Sequence, residues 1–479
     1  MFALVARTPQ RALVLQGGGA LGAYEAGVFK VLYDKLYEPG KALFDIVAGT
    51  SSGALNAAIL VSHVIKNNNS WEKADQTLLN FWLSLSSPTP LSGAYGEFWL
   101  GEAGRRYYSV KEFFSRGLEK VHSAPDTILD YKFQDYLPYF YFSPNVTANS
   151  RYRYRNRPLR ESIKTFFPIA TREGEPRLLT IAVDVVEGAT VTFDSYFYEG
   201  KKCLICERDI GKDKLVEHVN RKHGARIRNV VRWSVYGDKE NRHAIFYEDG
   251  IDVKHVIAST AIPLFYDYED IDGHKFWDAG ILSNTPLREL IQAYRDYWYK
   301  DKGQKVPPDL QVHIVNIWPV KESGMTPPSD NDGLRDRRND LMFHDKTGYD
   351  RKVAETVTDY IDYINKLTRF SEKAKNSVQN PTKKNDLEKE LIGIQQDWTE
   401  SSKKRTGEKR KYYELTEGRF RLVNTVTIER TDDPNDISYK WEDLTSKTVR
   451  SLIVQGYEDA QNALKITLPP ISFASSPAA

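Results

Sequence analysis

The sequence predicts an α/β fold: a mostly parallel central sheet covered by helices on both faces. Two strand, loop and helix units near the start of the chain carry that prediction. In the first, Ala12, Leu13, Val14 and Leu15 form an apolar run the length of a buried strand, and a glycine-rich loop follows from Gln16 to Gly22. Val28, Val31, Leu32 and Leu36 then recur at helical spacing within Ala23 to Tyr37. In the second, Phe44 to Ala48 reads as strand, Gly49 to Gly53 as a turn, and Ala54 to Ile65 as an alanine-rich helix that is apolar on most sides. Consecutive units of this kind set parallel strands side by side under covering helices.

The remaining elements follow from the same patterns. Residues 67–176 have weaker periodicity and abundant Tyr, Phe, Pro and Ser, which suits a lid or wall laid over a site. Leu178 to Val183 and Thr190 to Phe193 predict two strands joined by a hairpin at Glu187-Gly188-Ala189. Leu310 to Ile317 is a further apolar strand, and Pro319, Pro327 and Pro328 mark a long loop after it. Val353, Val357, Tyr360, Ile361, Ile364 and Leu367 predict a helix, which a charged run up to Arg410 separates from a strand at Phe420 to Ile428 and a last helix at Lys447 to Leu464. The expected organisation is a core over 1–320, with insertions at 67–176 and 198–242, and C-terminal helices and a strand packing on it over 321–479.

Composition narrows the class. A chain of 479 residues with 41% hydrophobic residues can bury a sizeable core. Its 67 basic and 65 acidic residues nearly cancel, so the overall charge calls for neither nucleic acid nor an anionic surface as partner. Arg7, Pro9 and Arg11 break up the apolar beginning, unlike an export signal, so a cytoplasmic protein is expected. The apolar run at Ala54 to Leu60 is far short of a bilayer span, so any membrane contact is expected to be peripheral. Two neighbouring cysteines do not make a disulfide framework.

The chemistry gathers at two glycine-bounded segments. Gly49-Thr50-Ser51-Ser52-Gly53 fits GxSxG, where small residues let the chain turn sharply from strand to helix and present a serine hydroxyl at the top of a sheet. The loop at Gly17, Gly18 and Gly19 brings backbone N–H donors beside it, as acyl transfer requires for the charge that develops on a carbonyl oxygen. Gly17 to Gly22 also satisfies the dinucleotide fingerprint GxGxxG, but no acidic residue ends the second strand, and the serine turn stands in its place. A serine nucleophile needs a base, a histidine or a carboxylate. Asp278, on the tight small-residue turn Trp277-Asp278-Ala279-Gly280, is a candidate, although alone it also suits a turn or helix-start acid. His313 and His344 follow it in chain order and would complete a triad.

Four blocks in order, the glycine loop, GxSxG, Ala258-Ser259-Thr260-Ala261-Ile262-Pro263 and the acid turn, resemble the patatin-like phospholipases over roughly Arg11 to Pro319. The resemblance implies a Ser-Asp dyad without histidine that cleaves acyl esters of lipids, in the phospholipase A or lysophospholipase manner. It makes Ser51 the nucleophile, Asp278 the base and the amides of Gly17, Gly18 and Gly19 the oxyanion donors, with no cofactor for catalysis. Two positions depart from the family pattern: Leu21 stands where many members carry a basic residue, and Ala279 where glycine is usual. If that second position needed a positive φ, alanine there would be strained by about 1 kcal/mol or more.

A separate constellation consumes both cysteines. Cys203 and Cys206 in a CxxC, then His218 and His223 in HxxxxH after an 11-residue spacer, come close to two-Cys, two-His zinc spacing. Such a site is closed and therefore structural. The surrounding insertion is locally basic at Lys201, Lys202, Arg221, Lys222, Arg226, Arg228 and Arg232, which suits a stabilising staple or a contact with nucleic acid, lipid head groups or a protein. The rival class is accordingly a catalytically silent binding protein that uses the finger. The strip Arg151-Tyr152-Arg153-Tyr154-Arg155-Asn156-Arg157 suits either lipid phosphates or an exposed strand with alternating faces.

Overall fold

A computed structural model describes residues 8–86, 157–197, 231–236, 250–263, 266–271, 273–319, 327–328, 331–403, 409–433, 440–471 and 473, with isolated positions between 210 and 222. The first two units are β1 (Gln10–Leu15), α1 (Gly22–Leu36), β2 (Ile46–Thr50) and α2 (Ser52–Lys66), followed by α3 (Ala74–Leu85) and α4 (Arg157–Ile163). The predicted hairpin is β3 (Arg177–Asp184) and β4 (Ala189–Phe197), and β5 (Val231–Tyr236) extends it. Next come α5 (Val253–Thr260), β6 (Glu269–Ile271), β7 (His274–Asp278), α6 (Leu287–Arg295) and β8 (Leu310–Asn316). The C-terminal part holds α7 (Asn331–Phe343), α8 (Gly348–Ser377), α9 (Pro381–Gln396), β9 (Trp398–Lys403), β10 (Lys409–Lys411), β11 (Val426–Glu429) and α10 (Ser446–Leu464).

The main sheet runs β11-β8-β1-β2-β3-β4-β5. Pairing is parallel from β11 to β3 and antiparallel from β3 outward. Central strands are apolar throughout because both faces are covered. Leu13, Leu15 and Val47 face a core shared with α1, α2, α3, α5 and α10, while Ala12, Val14, Ile46 and Ala48 face Leu287, Leu290 and Tyr294 of α6. Asn56 ties the first layer together, donating to Glu25 Oε2 (2.7 Å) and to the Gly22 carbonyl (2.9 Å) while accepting from the Trp82 indole (2.9 Å). Burial holds the Glu25 carboxyl well above the usual carboxylate range.

Several boundaries differ from the sequence expectation. The stretch from 321 onward does more than pack on the core, since β11 is an edge strand of the sheet beside β8 and α10 lies against α1. The strand expected over Phe420 to Ile428 narrows to Val426–Glu429, preceded by an isolated bridge between Leu422 and Leu310. The charged run contains α9, capped by Asn380, whose side chain accepts from the Thr382 and Lys383 amides. β5 falls inside the stretch expected as an insertion and pairs with β4 instead. Most of the expected lid, 87–156, lies outside the described residues. No described helix is long and apolar enough to cross a membrane.

A buried ionic cluster ties distant segments of the C-terminal part to one another. The Lys440 ammonium lies 3.2 Å from Asp336 and 2.7 Å from Asp340 and also pairs with Asp433, which Arg430 engages at 2.5 Å. Its side chain is 1% exposed. Removing the cation leaves three carboxylates buried together, so Lys440→Met is expected to lower the unfolding free energy by about 3 kcal/mol. Urea denaturation measures this, and a midpoint equal to wild type would show that the cluster contributes nothing net.

Candidate active site

The sheet itself brings the two candidate residues together. Along one edge of β3, residues 177–181 pair with β2, ending at Thr50 opposite Ile181, and residues 182–184 pair with β7, with Asp278 opposite Ala182. β4 occupies the other edge. Where β2 gives way to Ser51, β7 therefore delivers Asp278 at the next position along the same strand.

Ser51 has φ 54° and ψ −123°, a left-handed conformation that a side chain rarely adopts and that costs on the order of 1–3 kcal/mol. Both glycines of the motif are required by close approach. A Cβ on Gly49 would lie 2.2 Å from the Gly53 backbone, and one on Gly53 would lie 2.3 Å from the Leu15 carbonyl oxygen. The bend is held from outside: the Ser51 amide donates to Ser259 Oγ (3.0 Å), whose hydroxyl donates to the Ile181 carbonyl, and the Thr50 hydroxyl donates to the Ser283 carbonyl (2.9 Å).

Ser51 and Asp278 are both buried and line the same cleft, with the Ser51 side chain close enough to the Asp278 carboxyl to act on its pKa. Burial pushes the Asp278 carboxyl up to about 7, against the opposing pull of the nearby Ser51 side chain and of its bond from the Gly280 amide (2.7 Å). The Asp278 amide donates to the Ala261 carbonyl (2.9 Å), so the block Ala258 to Pro263 braces both the serine and the acid. Ala279 opens a short 3-10 turn, Ala279–Ile281, and is not among the residues with positive φ, so alanine fits there without the strain a left-handed turn would impose. His313 sits within β8 against the Phe44 ring, with burial lowering its pKa to about 4. His344 lines a separate polar pocket with Arg288 and Glu289. Neither histidine lines the cleft that holds Ser51 and Asp278.

The glycine loop is pinned from several sides. Gln16 Oε1 accepts from the amides of Ile317 (2.6 Å) and Trp318 (3.0 Å), and the Gly17 carbonyl accepts from the Trp318 indole (2.6 Å) and the Asn284 amide group (2.9 Å). The Gly17 N–H donates to the Asn284 carbonyl (3.1 Å) and the Gly18 N–H to Ser52 Oγ (2.9 Å). Of the three amides expected to face an oxyanion, two thus already have protein acceptors. The expectation narrows to Gly19, which has φ +57° and whose absent Cβ would meet the Trp441 carbonyl at 2.4 Å.

Two cavities meet at Ser51. One, of about 90 Å³, is lined by Leu55, Trp82, Leu85, Leu159 and Ile262 and is almost wholly apolar. The other, a larger cleft of about 340 Å³, holds Asp278, Asn284, Trp318, Arg335, Arg338 and Phe343. Gly19, Ser51, Ile262 and Trp441 border both. The supporting roles of Ser259 and Asn284 sit within motifs visible in the sequence, whereas Trp318, Trp441, Arg335 and Arg338 come from segments with no pattern to mark them. Cys203, Cys206 and His223 lie outside the described residues, as do Arg151 to Asn156, and His218 is the one member of its constellation that is described.

A serine held in a left-handed bend between strand and helix, with a buried carboxylate beside it, is an arrangement that α/β acyl-transfer proteins use. Within that class it belongs to the patatin-like phospholipase family, whose model matches residues 13–291. The family supports action on lipid esters. Among solved structures the chain is similar to VipD from Legionella pneumophila, with 12% identity and a TM-score of 0.29 over 96% of this chain and 67% of that one. No curated protein sequence matches it significantly.

Proposed function

We propose that the protein hydrolyses acyl esters of lipids in the phospholipase A or lysophospholipase manner, with Ser51 as nucleophile and Asp278 as general base. The observation that carries this reading is the juxtaposition of Ser51, at the end of β2, with a carboxylate that β7 delivers at the next position along β3 and that burial holds near pKa 7, because a base works best when its pKa lies near the working pH. Asp278 takes the Ser51 proton as Oγ attacks the ester carbonyl. The oxyanion meets the glycine loop, where the Gly19 amide is free of a protein acceptor among the described residues and those of Gly17 and Gly18 reach it only by releasing Asn284 and Ser52. Collapse expels the alcohol, protonated by Asp278, and a water activated by the same carboxylate releases the acyl group. The apolar cavity beside Ser51 suits the acyl chain.

A fluorophosphonate probe tests nucleophile activation without choosing a substrate. One adduct per chain, on Ser51, is the expected outcome. An unlabelled, folded protein would overturn the proposal in favour of a silent binding protein.

A structural zinc ion on Cys203, Cys206, His218 and His223 is a second proposal, supported by their spacing alone. Metal analysis of the reduced protein is expected to give about one zinc per chain. A stoichiometry near zero rejects the site.

A further inference from the structure

The cleft side of Ser51 is charged in a way that the apolar side is not. Arg335, Arg338, Asn339, Met342 and Phe343 of α7 all line it. Their spacing, three, four, seven and eight residues from the first, is that of one helix face, so the whole face is turned to the site. Among the described residues neither guanidinium is paired with a carboxylate, and Arg338 reaches only the Asn339 side-chain oxygen, at 3.1 Å. The acids on the adjoining face, Asp336 and Asp340, are engaged by Lys440 and so are not available to neutralise the arginines. The apolar cavity across Ser51 carries Glu442 and no arginine. A lipid ester seated with its carbonyl at Ser51 therefore has one direction for its acyl chain and the other for a negatively charged group.

From this we propose that Arg335 and Arg338 form an anion subsite that selects lipids with a net-negative, phosphate-bearing head group over zwitterionic and neutral ones. The inference rests on the acyl-hydrolase reading for where the ester sits. Two guanidiniums offer forked donors to phosphate oxygens. A head group that also carries an ammonium brings a second positive charge against them, and a neutral glyceride leaves them unanswered. α7 lies outside the matched stretch 13–291, so the selection belongs to the C-terminal part of this chain.

The test is made in the full-length Ser51→Ala protein, which binds without turnover, by calorimetric titration with monomeric dihexanoyl phosphatidylglycerol, dihexanoyl phosphatidylcholine, dihexanoyl glycerol and glycerol 3-phosphate. The expected result is that phosphatidylglycerol binds about tenfold more tightly than phosphatidylcholine, with the difference shrinking as salt rises. Adding Arg335→Gln and Arg338→Gln should erase the difference while the thermal midpoint stays within a few degrees, and Arg335→Lys with Arg338→Lys should restore part of it. Equal affinity for the two phospholipids, a preference that survives the glutamine pair, or glycerol 3-phosphate binding as tightly as the lipid would each overturn the subsite. If the preference appears as expected but the wild-type protein hydrolyses none of these esters, the subsite stands and the hydrolase reading falls.

Discussion

Ser51→Ala is expected to lower hydrolysis of a soluble ester such as p-nitrophenyl butyrate on the order of 10⁴-fold or more, to the level left by binding and oxyanion contacts alone. Alanine keeps the Cβ, so the left-handed bend and its bonds to Ser259 and Leu55, made by the backbone, are unchanged. What disappears is the attacking oxygen in the cleft it shares with Asp278. The neighbouring serine offers no rescue, because Ser52 Oγ lies on the side of the glycine loop, 2.9 Å from the Gly18 amide, and Ser52 does not line the cleft that holds Asp278. Steady-state kinetics together with urea denaturation separate the two effects: activity should collapse while stability changes little. An alanine variant as active as wild type would remove Ser51 from the mechanism.

How much of this was legible in the sequence depends on the kind of force involved. The first two units were readable because β1 and β2 are covered on both faces and so are apolar along their length, and because the bend between β2 and α2 admits only glycine at 49 and 53. That Ser51 and Asp278 lie near one another is implied in the sequence only by the resemblance of four ordered blocks. Its physical origin, β2 and β7 meeting end to end on one edge of β3, is a pairing between distant segments that no local pattern encodes. The C-terminal part was harder still. α9 buries no residue, and its short apolar spacing at Leu387, Leu391 and Ile394 sits inside a charged run, so Asn380 and Pro381 are its clearest signal. Lys440, Asp336, Asp340 and Asp433 read as surface charges because charged residues are seldom buried unless paired, and the pairing spans about a hundred residues of chain. The glycine loop shows the opposite difficulty. Its glycines stand out in the sequence, but which of its amides remain available depends on acceptors from Asn284 and Ser52 that motif spacing does not reveal.

Asp278→Asn should separate catalysis from stability, since the same burial sets both with opposite sign. Burial holds the folded-state pKa at about 7, against an ordinary value of 3.8. The native state therefore favours the protonated acid, and the stability this gives is fully present below about pH 4 and is lost as pH rises through 7. Above that, wild type carries an ionised buried carboxylate at a cost of up to about 4 kcal/mol, at 1.36 kcal/mol for each tenfold change in protonation. Asparagine is never charged, so the variant should gain stability relative to wild type steadily between about pH 4 and 8, as read from urea midpoints across that range. Activity should move the other way. Only the ionised carboxylate can take the Ser51 proton, so wild-type kcat/KM should rise about tenfold per pH unit below 7 and level off above it, while asparagine loses on the order of 10³-fold at the plateau and leaves no such slope. A wild-type rate that is flat from about pH 5 to 8, or an asparagine variant that keeps the wild-type slope, would mean that another group takes the proton. A variant that gains no stability at high pH would mean instead that the carboxylate is better solvated than its burial implies, and the two measurements together decide which part of the account fails.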